Sequence, residues 1–241
     1  MKTIGICVTG LVRTWDSCYK NLLKNLILNN QEYEFYLIGY IGEIGNVEEF
    51  SKKYKFNKLK PSINHELPNL EYQKNNYTHN LGSNQYINAF YQLIGLKEAN
   101  NLLDEFEKEN GIVLDYIIRT RTDLDILSPI KLPQPNKNTI YIPNGHDWYG
   151  YNDRFAYGNR DDLKLYLNRY DFWMNSNNNI PSYSTHIESN LKLYLDTNNI
   201  SIERLHDLNY SFRKNINGNE INIEGFYKNK VYMGPSNIIN L

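Results

Sequence analysis

The chain has 241 residues with 26 basic and 27 acidic side chains, a formal net charge of −1 at pH 7. Its basic residues are scattered rather than striped, so no bulk field draws it to nucleic acid or an anionic membrane, and partners recruited by charge alone are excluded. No apolar run reaches the roughly 18 residues of a membrane span, and the N-terminus enters an apolar segment without a leader pattern, so a soluble, cytoplasmic protein is expected.

Residues 3–9 form a nearly continuous apolar run that ends at Gly10, the pattern of a strand buried on both faces. The segment 17–29 carries Leu22, Leu23, Leu26 and Ile27 at helical spacing, so strand, short turn and helix follow one another. The two cysteines fall in these elements, Cys7 in the strand and Cys18 in the helix, and read as core thiols of a reducing compartment. A second strand is expected over 34–41 and a short helix over 47–54. Strands alternating with helices indicate a mainly parallel sheet covered on both faces, in which ligands bind at the carboxyl ends of the strands. The turn Gly10-Leu11-Val12-Arg13-Thr14 is therefore a candidate binding loop, with a glycine that lets backbone approach a ligand. Residues 61–84 lack periodicity and hold Pro61, Pro68 and Gly82, which predicts a long loop over the site.

The longest helical pattern covers 85–109, with Ile87, Phe90, Tyr91, Ile94, Leu102, Leu103 and Phe106 as its apolar stripe. It leads into the strand 115–121, whose end runs into two acidic residues one position apart, Asp123 and Asp125. Where a chain turns at a strand end, two such carboxylates can aim at one hard cation, Mg²⁺ or Mn²⁺, which keeps its remaining positions for water and phosphate oxygens. Arg119 and Arg121 lie just upstream, and guanidinium groups offer a fork of donors to the same phosphates.

A short strand at 139–143 opens into residues 144–158, which gather Asn144, His146, Asp147, Trp148, Asp153 and Arg154 between glycines. Polar groups beside aromatic faces suit a sugar ring, with hydroxyls on its rim and C–H groups on its faces. Helices are expected over 161–175 and 184–198, the second capped by Ser184 or Thr185 and carrying His186 and Glu188 in its first turn. A strand at 201–205 is followed by His206, and the tail holds Arg213 and two hairpin-like turns around Asn217-Gly218-Asn219 and Glu224-Gly225.

Two segments are the most specific, Arg119-x-Arg121-x-Asp123-x-Asp125 and Ile142-Pro-Asn-Gly-x-Asp-Trp148 through Asp153-Arg-Phe-Ala156. With the N-terminal strand and loop and the long helix, they give an order that resembles GT-A-type glycosyltransferases, and more closely the small enzymes of large DNA viruses and microbial polysaccharide loci. The resemblance spans residues 4–213. It implies an α/β fold, a single GT-A-like domain over 1–241 with a mainly parallel central sheet and helices on both faces, of which 1–125 is the nucleotide-binding half and 126–241 the acceptor-side half. It further implies Mn²⁺- or Mg²⁺-dependent transfer of a sugar from a nucleoside diphosphate donor, expected to be a UDP-sugar, to a hydroxyl of a glycan acceptor. Carried over residue by residue, Asp123 and Asp125 would bind the metal, Asp125 directly, with His206 as a late ligand. Gly10, Arg13, Arg119, Arg121, Asp123, Asn144, Asp147 and Arg213 would meet the nucleotide sugar, and Asp153 or Glu188 would serve as the catalytic base of an inverting enzyme. Nucleic acid and a membrane span are not among the implied partners, and the implied location is the cytoplasm, which for a viral chain means host cytoplasm or viral factory.

Three other readings use the same residues. A haloacid-dehalogenase-like phosphatase places its Asp-x-Asp after the first strand with Thr or Val next, whereas here the pair lies mid-chain and Ile126 follows. A nucleotidyltransferase would carry a Gly-rich, Lys-containing phosphate loop, of which Gly10-Leu-Val-Arg13 is a poor version. A non-catalytic sugar- or nucleotide-sugar-binding protein would keep the fold without turnover, since fold does not determine function.

Overall fold

The computed structural model describes residues 1–76, 85–175, 186–216, 219–227 and 230–233. Six consecutive residues of β1 (Lys2–Leu11) are buried, as expected of a strand covered on both faces. It pairs in parallel with β2 (Tyr33–Gly42) on one side and β4 (Tyr116–Arg121) on the other, and β3 (Lys58–Pro61) extends the sheet beyond β2. Beyond β4, β7 (Ala156–Asn159) runs antiparallel to both β4 and β6 (Thr139–Pro143), and β8 (Ser201–Leu205) closes the edge parallel to β6. The result is a seven-stranded sheet in the order β3-β2-β1-β4-β7-β6-β8, parallel except for β7. A second, four-stranded antiparallel sheet joins β5 (Leu124–Ile126), β9 (Tyr210–Ile216), β10 (Asn219–Tyr227) and β11 (Lys230–Met233).

Two apolar cores lie on the two faces of the large sheet. One combines Ile4, Ile6 and Val8 with α1 (Trp15–Asn21), α2 (Val47–Tyr54) and the inner face of the second sheet. Its aromatic cluster is compact, with Trp15, Tyr19, Tyr54 and Phe56 at ring separations of 5.1 to 6.1 Å. The other core sets Cys7, Ile38 and Ile117 against α4 (Gln85–Asn110), α5 (Arg160–Leu167), α6 (Tyr170–Met174) and α7 (Ile187–Thr197). Both cysteines are buried and unpaired. No helix among the described residues is long and apolar enough to cross a membrane.

The α/β class, the mostly parallel sheet and the helices on both faces are as the sequence indicates, and several elements differ in detail. The helix expected at 17–29 starts at Trp15 and loosens after Asn21 into a π turn (Leu22–Leu26) and a 3-10 turn (Ile27–Asn29). Buried amides tie it to the end of β5 and the segment that follows: Asn25 donates to the Ile126 carbonyl at 2.6 Å, and Asn30 to that of Ile130 at 2.9 Å. The aperiodic stretch 61–84 opens with the end of β3 and contains α3 (Glu71–Asn76), while 77–84 lie outside the described residues. On α4, Tyr91 is exposed, and burial follows Ala89, Leu93, Leu96, Asn100 and Leu103, because the helix packs on the sheet and on α5 and α6 as well. The helix at 161–175 breaks into α5 and α6 at Asn168-Arg169, and α7 begins at Ile187 with His186 as its N-cap; Ser184 and Thr185 fall outside the described residues. Glu224-Gly225 lies inside β10 at a shift in register, a bulge rather than a turn, because Phe212 and Ser211 of β9 still pair across it.

Arg160 clamps α5 to α4. Its guanidinium meets Glu107 at 3.1 Å, Asn100 at 3.1 Å and Asp104, with its own side chain 9% exposed. Arg160→Ala should therefore destabilise the chain by about 2–4 kcal/mol, since Glu107 would be left largely buried without its partner. Urea unfolding of the two proteins measures this.

Candidate functional site

Strands β1, β2, β3, β4, β6 and β8 all end on one edge of the sheet, and β7 starts there. The topology thus gathers the Gly10–Arg13 turn, residues 122–125, residues 144–155 and His206 along the carboxyl edge, where ligands of such sheets bind. A cleft of about 350 Å³ opens on this edge between the start of α4 and the first turn of α7, lined by Gln85, Gln92, Arg121, Asp153, Arg154, His186 and Glu188. A larger, open depression of about 630 Å³ over α2 and β3 is lined by none of these charged groups.

Asp153 lines the cleft and is 3% exposed. Its carbonyl oxygen accepts from Arg119 and from the Tyr166 hydroxyl at 2.9 Å, and its carboxylate accepts from Gln92 and faces Arg169 at 3.5 Å. Burial on its own would raise this carboxyl, but Arg119, Arg169, Arg154 and Arg121 outweigh it and hold the group below the usual carboxylate range. Glu188 goes the other way. It is 8% exposed in the first turn of α7, with His186 Nδ1 at 3.0 Å from Oε2; burial and the charge of Asp153 push it up against the pull of His186. Two carboxyl groups in one cleft are thus driven apart, one fixed as an anion and one with raised proton affinity.

Arg121 and Arg154 supply the cleft's positive charge. Arg121 lies 4.8 Å and Arg154 5.0 Å from the Phe212 ring centroid; Arg121 pairs with Asp123 through two contacts of 2.7 and 2.8 Å, and Arg154 with Glu224 at 2.7 Å. Asp123 is partly exposed, and Arg121 holds its carboxyl low against the effect of burial. Asp125 does not turn toward the cleft. It lies in β5 at 0% exposure, where Arg213 Nε meets Oδ2 and Asn21 Nδ2 meets Oδ1, each at 2.6 Å. His206 is exposed and contacts Asn144 at 3.0 Å. Both carboxylates expected at a metal are thus neutralised by guanidinium groups, and no three His, Cys, Asp or Glu side chains among the described residues form a cation site. A divalent ion does not fit this arrangement without displacing Arg121 or Arg213.

The remaining candidates fall into structural contacts. Gly10 has φ +129°, and a Cβ there would meet Thr122 Oγ1 at 2.6 Å, so glycine is required by the chain itself. Arg13 is exposed, 3.5 Å from Glu43. Asp147 is held by Arg204 through contacts of 2.9 and 3.1 Å and accepts the Asn152 amide at 3.0 Å. This pins a loop in which His146, Trp148 and Tyr149 adopt φ of 56°, 40° and 65°, each costing about 1 kcal/mol or more for a non-glycine residue. His146, pushed down to about 4 by burial and by Arg154, stays neutral beside the Tyr210 hydroxyl at 3.0 Å. Gly150 packs so closely on the start of α7 that a Cβ would lie 1.9 Å from the Glu188 carbonyl oxygen.

Sequence reasoning brought Asp153, Arg121 and Glu188 to one cleft and missed Arg154, Arg169 and Gln92 as their partners. Arg154 adjoins Asp153 in the chain, which was a usable signal. Arg169 sits at a helix break and Gln92 on the polar side of a helix, and neither position differs in sequence from a solvated one.

Asp125→Ala should cost about 2–3 kcal/mol of stability with no metal present, less than for a fully enclosed pair because Arg213 keeps 24% exposure and can rehydrate; a metal-free thermal melt reads it. For Glu188, raised from an ordinary value of 4.5, the stability contribution is present below that value and lost as pH rises through the folded one. Glu188→Gln should therefore gain stability relative to wild type at pH 7.5, and the gain should shrink below pH 4.5 in paired denaturation curves.

The solved structures to which the chain is similar include the following two. One is a glycosyltransferase involved in the glycosylation of the major capsid of PBCV-1, at 11% identity and a TM-score of 0.40, covering 84% of this chain and 82% of that one. The other is a nucleoside-diphosphate-sugar pyrophosphorylase from Vibrio cholerae RC9, at 11% identity and a TM-score of 0.42, covering 84% and 91%. No curated protein matches the chain. A family model does match, over residues 1–209, and the chain belongs to that family, described as a domain of unknown function, DUF7796.

Proposed function

We propose that the cleft at the carboxyl edge transfers a sugar from a nucleoside diphosphate donor to an acceptor hydroxyl. The observation that carries this reading is the opposed pair Asp153 and Glu188 beside Arg121 and Arg154 in one cleft. When a glycosidic bond to a diphosphate breaks, negative charge grows on the leaving oxygen, and guanidinium groups already fixed in a partly buried cleft stabilise it without reorganisation. Arg121 and Arg154 have that role. Glu188 takes the proton from the acceptor hydroxyl as it attacks the anomeric carbon, in a single displacement with inversion. Its raised proton affinity strengthens it as a base, whereas Asp153, anchored among arginines, holds the cleft lining in place. No step runs through a metal, because the two carboxylates expected to bind one are engaged by Arg121 and Arg213.

Incubation with a panel of nucleoside diphosphate sugars, UDP-sugars first, with and without Mn²⁺, should release nucleoside diphosphate. Release of pyrophosphate instead would assign nucleotidyl transfer. Glu188→Gln should lower kcat by about 10²- to 10⁴-fold, the usual size of general-base catalysis. Wild-type kcat should rise with pH through the Glu188 titration. Arg154→Ala should weaken donor binding at least tenfold, read as a smaller donor-induced rise in melting temperature. If no nucleotide sugar raises the melting temperature under any metal condition, the transferase reading falls.

A further inference from the structure

The strained loop after β6 presents two aromatic rings to solvent. Trp148 is 42% and Tyr149 82% exposed, although each occupies a left-handed conformation that a glycine would adopt more easily. The backbone is not loose there. Asp147 is doubly held by Arg204, the Asn152 side chain donates to the Gly145 carbonyl at 2.6 Å, and the Tyr151 amide donates to the Glu188 carbonyl at 3.0 Å. The loop is thus locked against the residue that lines the cleft, with its rings outside and its polar side chains turned to structural use. Strain kept in a rigid loop beside a cleft points to a function for the side chains it displays.

We propose that Trp148 and Tyr149 form a platform on which a sugar ring of a glycan acceptor stacks, delivering a hydroxyl to Glu188. This rests on the transfer reading of the adjoining cleft. The chemistry favours a carbohydrate over a lipid surface: the loop that carries the two rings also carries Asn144, paired with His206, and Asp147, paired with Arg204, whereas membrane contact needs a continuous apolar patch. Flat aromatic faces meet the C–H faces of a pyranose, and amide and imidazole groups of the same loop region suit its hydroxyls.

The protein carries its own reporter. Of its three tryptophans, Trp15 and Trp173 are 1% and 0% exposed, so acrylamide quenching and solvent-sensitive emission isolate Trp148. Gluco-, manno-, xylo- and chito-oligosaccharides are titrated into the full chain while this emission is followed, in parallel with melting curves in nucleoside diphosphate sugars. The expected result is a blue shift and protection from acrylamide with at least one oligosaccharide series, and an affinity at least fivefold weaker in Tyr149→Gly. That variant removes the ring while easing the backbone at φ 65°, so it retains the fold. If nucleotide sugars raise the melting temperature and no oligosaccharide protects Trp148, the platform is overturned and the transfer reading stands. If Trp148 responds to the nucleotide sugar and not to glycans, the rings belong to the donor and the proposal is overturned. If glycans protect Trp148 while no nucleotide sugar shifts the melt, the platform is supported and the transfer reading falls.

Discussion

Asp153 sets the terms for the rest of the site, because it places a negative charge where two arginines, Arg119 and Arg169, are both at 0% exposure. A guanidinium cut off from water is tolerated only with a charge partner and hydrogen bonds, and Asp153 supplies both through its carboxylate and its carbonyl. That requirement fixes the start of β7 against the end of β4, which in turn holds Arg121 and Arg154 at the cleft. The antiparallel direction of β7 in an otherwise parallel sheet matters for this reason: it delivers residues 153–155 to the carboxyl edge, where a parallel strand would have delivered its far end.

A second buried pairing, Asp125 with Arg213, lies within the small sheet, between β5 and its neighbour β9. The chain leaves the large sheet at Arg121 and enters the small one at Leu124, so the acidic segment that could have capped a strand end becomes part of a strand itself. Once β5 pairs with β9, the Asp125 side chain is enclosed, and Arg213 and Asn21 satisfy it. Asp123, in the turn between, stays partly exposed and is shared with Arg121. The arginines in and beneath the cleft therefore take their counter-ions from three separate segments, at Asp123, Asp153 and Glu224.

Local sequence carried much of the fold. The apolar run at 3–9, the helix at 47–54 and the strands at 139–143 and 201–205 were legible because each buries a regular pattern of its own. The elements that were missed are short or half-exposed: β3 with its lysines, the three residues of β5, and β7, where four residues of mixed polarity become a strand only because β4 and β6 flank them. The site was legible as a collection of residue types, in Arg121, Asp153 and Glu188, and illegible as a set of pairings. No spacing rule connects Gln92, Arg169 and Glu224 to a position 153 or 154, because their proximity follows from crossings of α4, α6 and β10 over the sheet.

By itself, then, the sequence determined the α/β class, the order of most strands and helices, and the edge on which charged and aromatic residues would gather, since all of these follow from hydrophobic period and chain direction. Tertiary structure alone decided which carboxylate of the acidic pair stays partly exposed and which is fully enclosed, each against its own guanidinium. Both Asp-x-Asp residues have the same chemistry in sequence, and what separates them is the dielectric and the neighbours that packing brings, which depend on contacts about a hundred residues apart, such as Asn21 and Arg213 around Asp125.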